Sequence, residues 1–210
     1  MRILLSLMDP ITPTAAVAAA LLFAGVPAAS WADAVGHVAT LAGSAEVTGA
    51  DGARSLQCGD PVFPGDTVET AEGSEIGILM GDTLAHVSAG SSLRVEDAEA
   101  LELTKGRVRV LDAIDGEDRR SVRALDSVAA HRGNDTEVYI FDEKTGPYAM
   151  LCEWDAPLEV QRGEETSVAP PGSCLIAKRD EPLYPADAHP ERISVGDSPC
   201  GAPIAFGPVA

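Results

Sequence analysis

The stretch EIGILMGDTLAHV, residues 75–87, decides the fold class of this chain. Ile76, Ile78 and Met80 occupy every second position, so in an extended strand their side chains point to the same face. The following pair Gly81-Asp82 suits a tight turn, because Gly takes positive φ and the Asp side chain can accept a hydrogen bond from a turn amide. A second strand-like run begins at residue 84. The stretch therefore predicts a strand, a turn and a second strand, with one face in a core.

The same pattern extends in both directions, from residue 35 to about residue 178, as short alternating segments divided by Gly, Asp and Pro. Strands are predicted at residues 36–41, 45–48, 54–56, 67–69, 75–80, 84–87, 92–96, 99–103 and 107–111 and, after a polar hinge, at 121–123, 127–131, 136–141, 148–154, 158–161, 166–168 and 173–178. Further predicted core positions are Leu93, Val95, Leu101, Leu103, Val108 and Val110. The predicted fold class is all-β, with many short strands in a β-sandwich or short solenoid and with two β subdomains.

Two stretches favour a helix instead. Residues 95–103 are rich in Ala, Glu and Leu, and residues 117–125 carry several good helix formers. A helical turn is therefore the alternative to a strand in each of these places.

Glycines divide the predicted strands where tight turns need positive φ, and neighbouring Asp side chains can cap the turn amides. The spacing of these acids fits neither a calcium-loop template nor a calcium-binding repeat, so we expect no metal site and no cofactor. The residues concerned are Gly52, Gly59, Gly65, Gly73, Gly81 and Gly106, with Asp51, Asp60, Asp66 and Asp82.

Composition excludes one class of function. The chain has 15 Lys and Arg against 33 Asp and Glu in 210 residues, a formal net charge of −18. A nucleic-acid binder needs a basic face to neutralise phosphates, so no nucleic-acid partner is expected. Aromatic residues make up only 4%, which leaves few platforms for stacking bases or sugars.

The two ends of the chain differ from the middle. Residues 1–32 resemble an export signal, with Arg2, an apolar run at residues 15–26 and a small-x-small site at Ser30-Trp31-Ala32. The run is shorter than the roughly 20 residues that a membrane-spanning helix needs. We expect cleavage before Asp33, a mature chain without a membrane span, and a periplasmic or secreted location. The alternative is an uncleaved anchor at the inner membrane. Residues 181–210 contain six of the 15 prolines and are predicted to form an extended tail.

Four cysteines, an even number, are expected to form two disulfides in an oxidising compartment. Their spacing contains no CxxC element, so a zinc site is not expected. The sequence leaves three connectivities open. Cys152 and Cys174 lie in nearby strand-like segments and can pair across a ladder, which would leave Cys58 to pair with Cys200 and fix the tail.

Several short motifs follow one another in a recognisable order. The segment CGDPVFPGDTVET, residues 58–70, contains a paired Gly-Asp and a final Thr: Gly59, Asp60, Gly65, Asp66 and Thr70. Residues 127–133, SVAAHRG, form an apolar strand that runs into Arg132 and Gly133. In this order the motifs resemble the FecR-type domain, the extracytoplasmic module of iron-responsive sigma-factor regulators, which also occurs in stand-alone exported bacterial proteins.

The resemblance covers roughly residues 36–178 and implies a FecR-like β domain at residues 33–180, between the signal peptide at 1–32 and the Pro-rich tail at 181–210. It supplies no catalytic residues. Only about a dozen residues precede the apolar run, too few for the cytoplasmic anti-sigma segment of the transmembrane regulators. We therefore expect a sensor-like or scaffolding domain.

Common enzyme signatures, such as a nucleophile elbow, a zinc-protease motif or a phosphate loop, are absent from the sequence, so we expect no enzyme activity. The weak candidates for a binding site are His131 and Arg132, which could bind an anion in an otherwise acidic protein. The structural alternative is a strand-end His and an Arg132 that pairs with Asp135.

Trp154 shares its parity with Tyr148 and Met150. These three residues either form a ligand patch on the side of the strand opposite Leu151 or belong to the core, and we favour the core.

The predicted function is that of an exported, non-enzymatic binding module of the bacterial envelope. Its expected partner is an envelope protein or glycan, and a free strand edge offers one way to bind it. One alternative is a membrane-tethered component of an iron or sigma-factor signalling system. The other is a hydrolase with an unrecognised site, assembled in space from a Ser, a His and an acid.

Overall fold

The computed structural model describes residues 33–112, 120–131, 135–186, 190–192, 195 and 200, without the side chain of His131. The predicted signal peptide at 1–32 and the motif residues Arg132 and Gly133 lie outside these ranges. Within them the regular elements are all strands, and no helix is long and apolar enough to cross a membrane. The strands are β1 (Gly36–Ala42), β2 (Ala45–Gly49), β3 (Gly52–Ser55), β4 (Pro61–Val62), β5 (Thr67–Thr70), β6 (Glu75–Met80), β7 (Thr83–Val87), β8 (Ser92–Val95), β9 (Ala100–Asp112), β10 (Arg120–Ala124), β11 (Ser127–His131), β12 (Asp135–Glu143), β13 (Gly146–Glu153), β14 (Leu158–Arg162), β15 (Glu165–Ala169), β16 (Ser173–Lys178) and β17 (Tyr184–Pro185).

The strands form two sheets that share β9. Sheet A has the order β17-β16-β13-β12-β9-β7-β6-β1-β4, and sheet B has the order β3-β2-β5-β8-β9-β10-β11-β14-β15. The described pairs are antiparallel except β9 with β10, which is parallel. At the bend in β9, Gly106 has a φ of +81°, and a Cβ there would lie 2.2 Å from Ser91 Oγ. Gly106 therefore lets one strand pass from sheet B into sheet A.

The two sheets face each other across one hydrophobic core, which makes the fold a sandwich. The core cluster combines residues of sheet A, such as Ile78 and Val110, with residues of sheet B, such as Leu93 and Val160. Strands before and after β9 contribute to the same cluster, so a continuous core joins the two halves of the chain. The predicted core residues are all at most 3% exposed: Ile76, Ile78, Met80, Leu93, Val95, Leu101, Leu103, Val108 and Val110.

The predicted strands are confirmed, except that those at 99–103 and 107–111 form the single strand β9, and the two helical alternatives are wrong over the described residues. Residues 100–103 belong to β9 and residues 120–124 to β10, where the two strands pair in parallel. Ladder pairing and the burial of Leu101 and Val122 outweigh the intrinsic helix propensity of the Ala, Glu and Leu residues in these stretches, because propensity contributes little per residue. The two-residue strands β4 and β17 were not predicted, because two residues are too few to show an alternating pattern.

The predicted turn chemistry is present in part: Gly106 lies within β9 and not in a turn, and hydrogen bonds to turn amides are seen for Asp60 and Asp66 of the four Asp residues. All six predicted glycines have positive φ, between +60° and +98°. Asp60 Oδ2 accepts a hydrogen bond from Gln57 N at 2.9 Å, and Asp66 Oδ2 accepts one from Phe63 N at 2.9 Å. Thr70 is buried, and its hydroxyl donates to Ser88 O at 2.6 Å. These motif residues therefore hold turns.

Candidate functional site

The outer face of sheet A, turned away from the core, carries most of the described aromatic residues. Side chains alternate along a strand, so the burial of Val138 and Leu151 in the core places their neighbours on the outer face. Of the six Phe, Trp and Tyr residues that the structure describes, five lie there, and the sixth is Phe63. We call the following set the aromatic face: Tyr139, Phe141, Tyr148, Trp154 and Tyr184, with Met150 and Ile176.

The rings form a continuous row. The centroids of Tyr139 and Phe141 are 5.8 Å apart with an interplanar angle of 8°, and those of Phe141 and Tyr148 are 4.9 Å apart at 16°. Cross-strand register continues the row from Tyr139 through Met150 and Ile176 to Tyr184. Tyr139 is 1% exposed, whereas the other members are half-buried. The row thus crosses β12, β13, β16 and β17, and Tyr139 is its one covered member.

The preference for a core position of Trp154, Tyr148 and Met150 is wrong for the main core, although Trp154 and Met150 pack against a second, smaller buried cluster. Leu151 lies in the core, and these three side chains lie on the opposite side of the sheet, where Trp154 and Met150 pack near the Cys152–Cys174 disulfide. Both faces of β13 are apolar, so parity could group the residues but could not tell which face is inside. The ligand-patch alternative describes their position.

A buried ion-pair network lies beside the aromatic face. Arg109 donates from Nε and Nη2 to the two carboxylate oxygens of Asp135, both at 2.8 Å. Arg109 Nε also lies 3.5 Å from Glu137 Oε1, and Glu137 accepts a hydrogen bond from the Tyr139 hydroxyl. Arg107 stacks over the Tyr139 ring, with 4.6 Å from Cζ to the centroid. These charged groups neutralise one another.

Burial shifts the pKa of two groups in this region, Tyr139 and His86. Burial raises the pKa of the Tyr139 hydroxyl far above its ordinary value, and the hydrogen bond to Glu137 raises it further. Burial lowers the pKa of His86, the nearby Glu75 carboxylate raises it, and Arg109, opposite His86 in the register, lowers it. His86 is 3% exposed; within the described residues neither ring nitrogen has a hydrogen-bond partner, and Nε2 lies 3.5 Å from Glu75 Oε2.

The lowered pKa of His86 predicts that the protein is less stable in acid. Because its pKa is lower in the folded state than the ordinary 6.5, the unfolded chain takes up a proton first as the pH falls. The free energy of unfolding should therefore decline as the pH drops below about 6.5, and the His86→Gln variant should show a weaker decline. Urea unfolding from about pH 7.5 to about pH 5.5 measures this effect. His37→Gln, at an exposed position of β1, is the control, and an equal change in both variants would contradict the prediction.

Part of the C-terminal region lies across sheet A. We call its described residues, 190–192, 195 and 200, the C-terminal strap. The backbone oxygen of Glu191 accepts a hydrogen bond from Arg107 Nη2 at 3.0 Å. Arg192 pairs with the carboxylate of Asp135 and stacks over the Trp154 ring at 5.1 Å. The strap thus covers the Tyr139 and Trp154 end of the aromatic face.

The strap continues towards the other edge of the sheet. Val195 packs against an apolar cluster of Ala39, Leu84 and Leu111, which belong to β1, β7 and β9. Cys200 then forms a disulfide with Cys58, just before the edge strand β4. The predicted tail, residues 181–210, is therefore tied to the domain at Cys200.

The structure contains both cysteine pairs that the strand positions favoured. Cys152 and Cys174 are direct register partners in β13 and β16, and the bond joins residues 22 apart in sequence. The Cys58–Cys200 bond joins residues 142 apart. The long bond fixes the strap, and the short bond lies beneath the aromatic cluster.

Of the two candidate binding residues from the sequence, the structure places only His131, and it does not lie on the strands of the aromatic face. His131 is the last residue of β11, in sheet B, opposite Arg120 in the register, and Arg132 lies outside the described residues. Asp135, the expected partner of Arg132, is bound by Arg109 and Arg192. Within the described ranges, no group of three or more His, Cys, Asp or Glu side chains is placed to hold a metal ion.

Comparisons with known proteins give a limited result. No family model matches the chain, and no curated protein matches it. Two crystal structures of a protein from Parabacteroides distasonis ATCC 8503, provisionally assigned as an anti-sigma factor, are similar at 16% identity with a TM-score of 0.48. Each match covers 57% of this chain and 58% of the other, so the chain spans little more than half the length of those structures. The FecR-type resemblance remains a prediction, because a likeness of this size carries no conclusion about function.

Proposed function

We propose that this protein is an exported, non-enzymatic binding module of the bacterial envelope and that it binds a protein partner through the aromatic face. The observation that carries the proposal is the concentration of five of the six described aromatic residues on one side of one sheet. Tyr and Trp side chains supply large contact areas at low entropic cost and are enriched at interface hot spots. In a chain with only 4% aromatic residues, this placement favours recognition.

A protein partner fits this face better than a glycan. Sugars stack on the free face of an aromatic ring, whereas Phe141 lies between the rings of Tyr139 and Tyr148. On the other side of Tyr148, its register partner is Lys178. Phe141 and Tyr148 therefore offer ring edges, and Tyr148 also offers its hydroxyl group, which suit apolar and polar side chains of another protein.

The charged groups nearby support a binding role over catalysis. Asp135, Glu137 and Arg109 engage one another, and a group held in a buried ion pair is poorly placed to transfer a proton to a substrate. A panel of ester, peptide and phosphoester substrates should therefore show no turnover with the purified protein. Turnover that a single active-site variant abolishes would revive the hydrolase alternative.

A free strand edge offers a second contact surface. Within the described residues β15 pairs only with β14, and Val168 on β15 is 64% exposed. A partner strand could add to the open side of β15. One exposed Val is a smaller anchor than the aromatic face, so we place the main contact on sheet A.

Substitution of Tyr148 tests the proposal. Tyr148→Ala and Tyr184→Ala should each weaken partner binding by about thirtyfold, as expected for a hot-spot aromatic residue. The readout is the amount of the same protein recovered by crosslinking and affinity capture from envelope extract. Thr48→Ala, at an exposed position of β2 in sheet B, is the control, and Val168→Ala tests the edge of β15. Full capture by both Tyr variants with loss in Val168→Ala would move the site to the edge of β15.

The proposed location has its own test. A cleaved signal predicts that the protein in the periplasmic or secreted fraction begins at Asp33. Amino-terminal sequencing measures this directly. Recovery of a chain that begins at Met1 in the membrane fraction would instead favour the membrane-tethered signalling alternative.

A further inference from the structure

We propose that the Cys58–Cys200 disulfide is a redox-responsive bond that holds the C-terminal strap over one end of the aromatic face, and that its reduction by an external dithiol enlarges the binding surface. The part of this inference that concerns partner binding rests on the proposed function. The release of the strap can be measured without any partner.

The strap covers specific members of the binding surface. Arg192 stacks over Trp154 and pairs with Asp135, and Glu191 is bonded to Arg107, which itself lies over Tyr139. Tyr139 is 1% exposed although it belongs to the same row as the half-buried Phe141 and Tyr148. Trp154, which Arg192 covers, and Tyr139, which Arg107 covers, therefore lie on the side of the aromatic face where the strap lies.

The described residues of the strap make non-covalent contacts as well as the disulfide. Among the described residues these contacts are an ion pair, a cation–π contact, a backbone hydrogen bond and the packing of Val195. The disulfide at Cys200 fixes the far end, which keeps these groups at a high effective concentration near their partners. Without the bond, these contacts alone must outweigh the conformational entropy that the chain gains when the strap is released.

The two disulfides differ in accessibility. Cys58 is exposed and Cys200 half-buried, whereas Cys152 and Cys174 are 0% and 1% exposed. Thiol–disulfide exchange requires the attacking thiolate to reach a sulfur atom. A reductant therefore meets the strap bond first.

The reaction balances with a dithiol as the two-electron donor. One thiolate of the dithiol attacks a sulfur of the Cys58–Cys200 bond, and the other cysteine leaves as a thiolate. The second thiol of the reagent then resolves the mixed disulfide. The dithiol ends as a disulfide, and the protein ends with two thiols.

Trp154 is a built-in probe of the release. The sequence contains two tryptophans, Trp31 and Trp154, and the expected signal cleavage removes Trp31. Loss of Arg192 from the ring and entry of water should shift the Trp154 emission to longer wavelength. The signal reports the strap whether or not a partner is present.

The experiment is a titration of the mature protein with dithiothreitol, followed by alkylation, peptide mass spectrometry and Trp154 fluorescence. Cys58 and Cys200 should be alkylated first, and the red shift should appear in that step while the far-ultraviolet circular dichroism stays that of a sheet. The Cys58→Ser/Cys200→Ser variant should show the red-shifted emission without reductant. Earlier alkylation of Cys152 and Cys174, or an unchanged emission once Cys58 and Cys200 are alkylated, would overturn the inference.

Partner capture separates this inference from the proposed function. If the strap is released and Tyr148→Ala still captures the partner fully, the proposed function fails and the redox response stands. If the emission does not change and Tyr148→Ala abolishes capture, the redox response fails and the binding face stands. When both hold, the reduced protein should capture more partner than the oxidised protein.

Discussion

Asp135→Asn is expected to lower the free energy of unfolding by about 3–5 kcal/mol, the range found when one partner of a buried ion pair is removed. Asp135 is 3% exposed and Arg109 is 7% exposed, so neither charge is well solvated in the folded state. The amide keeps the shape of the carboxylate and removes its charge. Arg109 then loses its shortest ion pair, and Arg192 of the strap loses its ion pair.

Urea denaturation followed by circular dichroism measures this loss, and an unchanged m value shows that the two end states remain comparable. The matched control is Arg54→Gln, because the Arg54–Asp60 pair is solvent-exposed, with side-chain exposures of 40% and 33%. An exposed pair contributes roughly 0–1 kcal/mol. If Asp135→Asn costs no more than Arg54→Gln, the network does not stabilise the fold in the way described.

The same network shows where sequence reasoning reaches its limit. Period-two alternation located the strands and the core, because burial of one face leaves a mark at every second residue, as in Ile76, Ile78 and Met80. The partner of Asp135 depends on which strands become neighbours. β9 and β12 pair in a register that brings Arg109 beside Asp135 and Glu137. Arg109 and Asp135 are 26 residues apart in the sequence. Local spacing suggested Arg132 because it is near in sequence.

For a related reason, the sequence predicts which residues of the aromatic face lie together but not on which side of the sheet they lie. Shared parity grouped Trp154, Tyr148 and Met150 correctly, but an apolar strand face is the same signal whether the sandwich core or another segment covers it. Here the strap and the neighbouring rings cover the outer side of β13. A hint was present in the sequence, since Leu151 and Cys152 make both sides of the strand apolar.

Removal of the strap disulfide is expected to have the other large effect. The Cys58→Ser/Cys200→Ser variant should lose about 2–5 kcal/mol of unfolding free energy, because the bond closes a loop between residues 142 apart and restricts the unfolded chain. Thermal unfolding of the oxidised wild type and the variant, at equal protein concentration, measures the difference. Serine is close in size to cysteine, and Cys58 is exposed, so little packing is lost.

Two comparisons separate the contribution of the bond from that of the strap contacts. Arg192→Met removes the ion pair to Asp135 but keeps the disulfide, and in the variant without the disulfide the same substitution should cost less, since the strap is then already loose. Equal costs in the two backgrounds would mean that the strap stays in place without its covalent tie. In that case the bond acts on the unfolded chain alone, and reduction would lower the stability of the protein without uncovering the aromatic face.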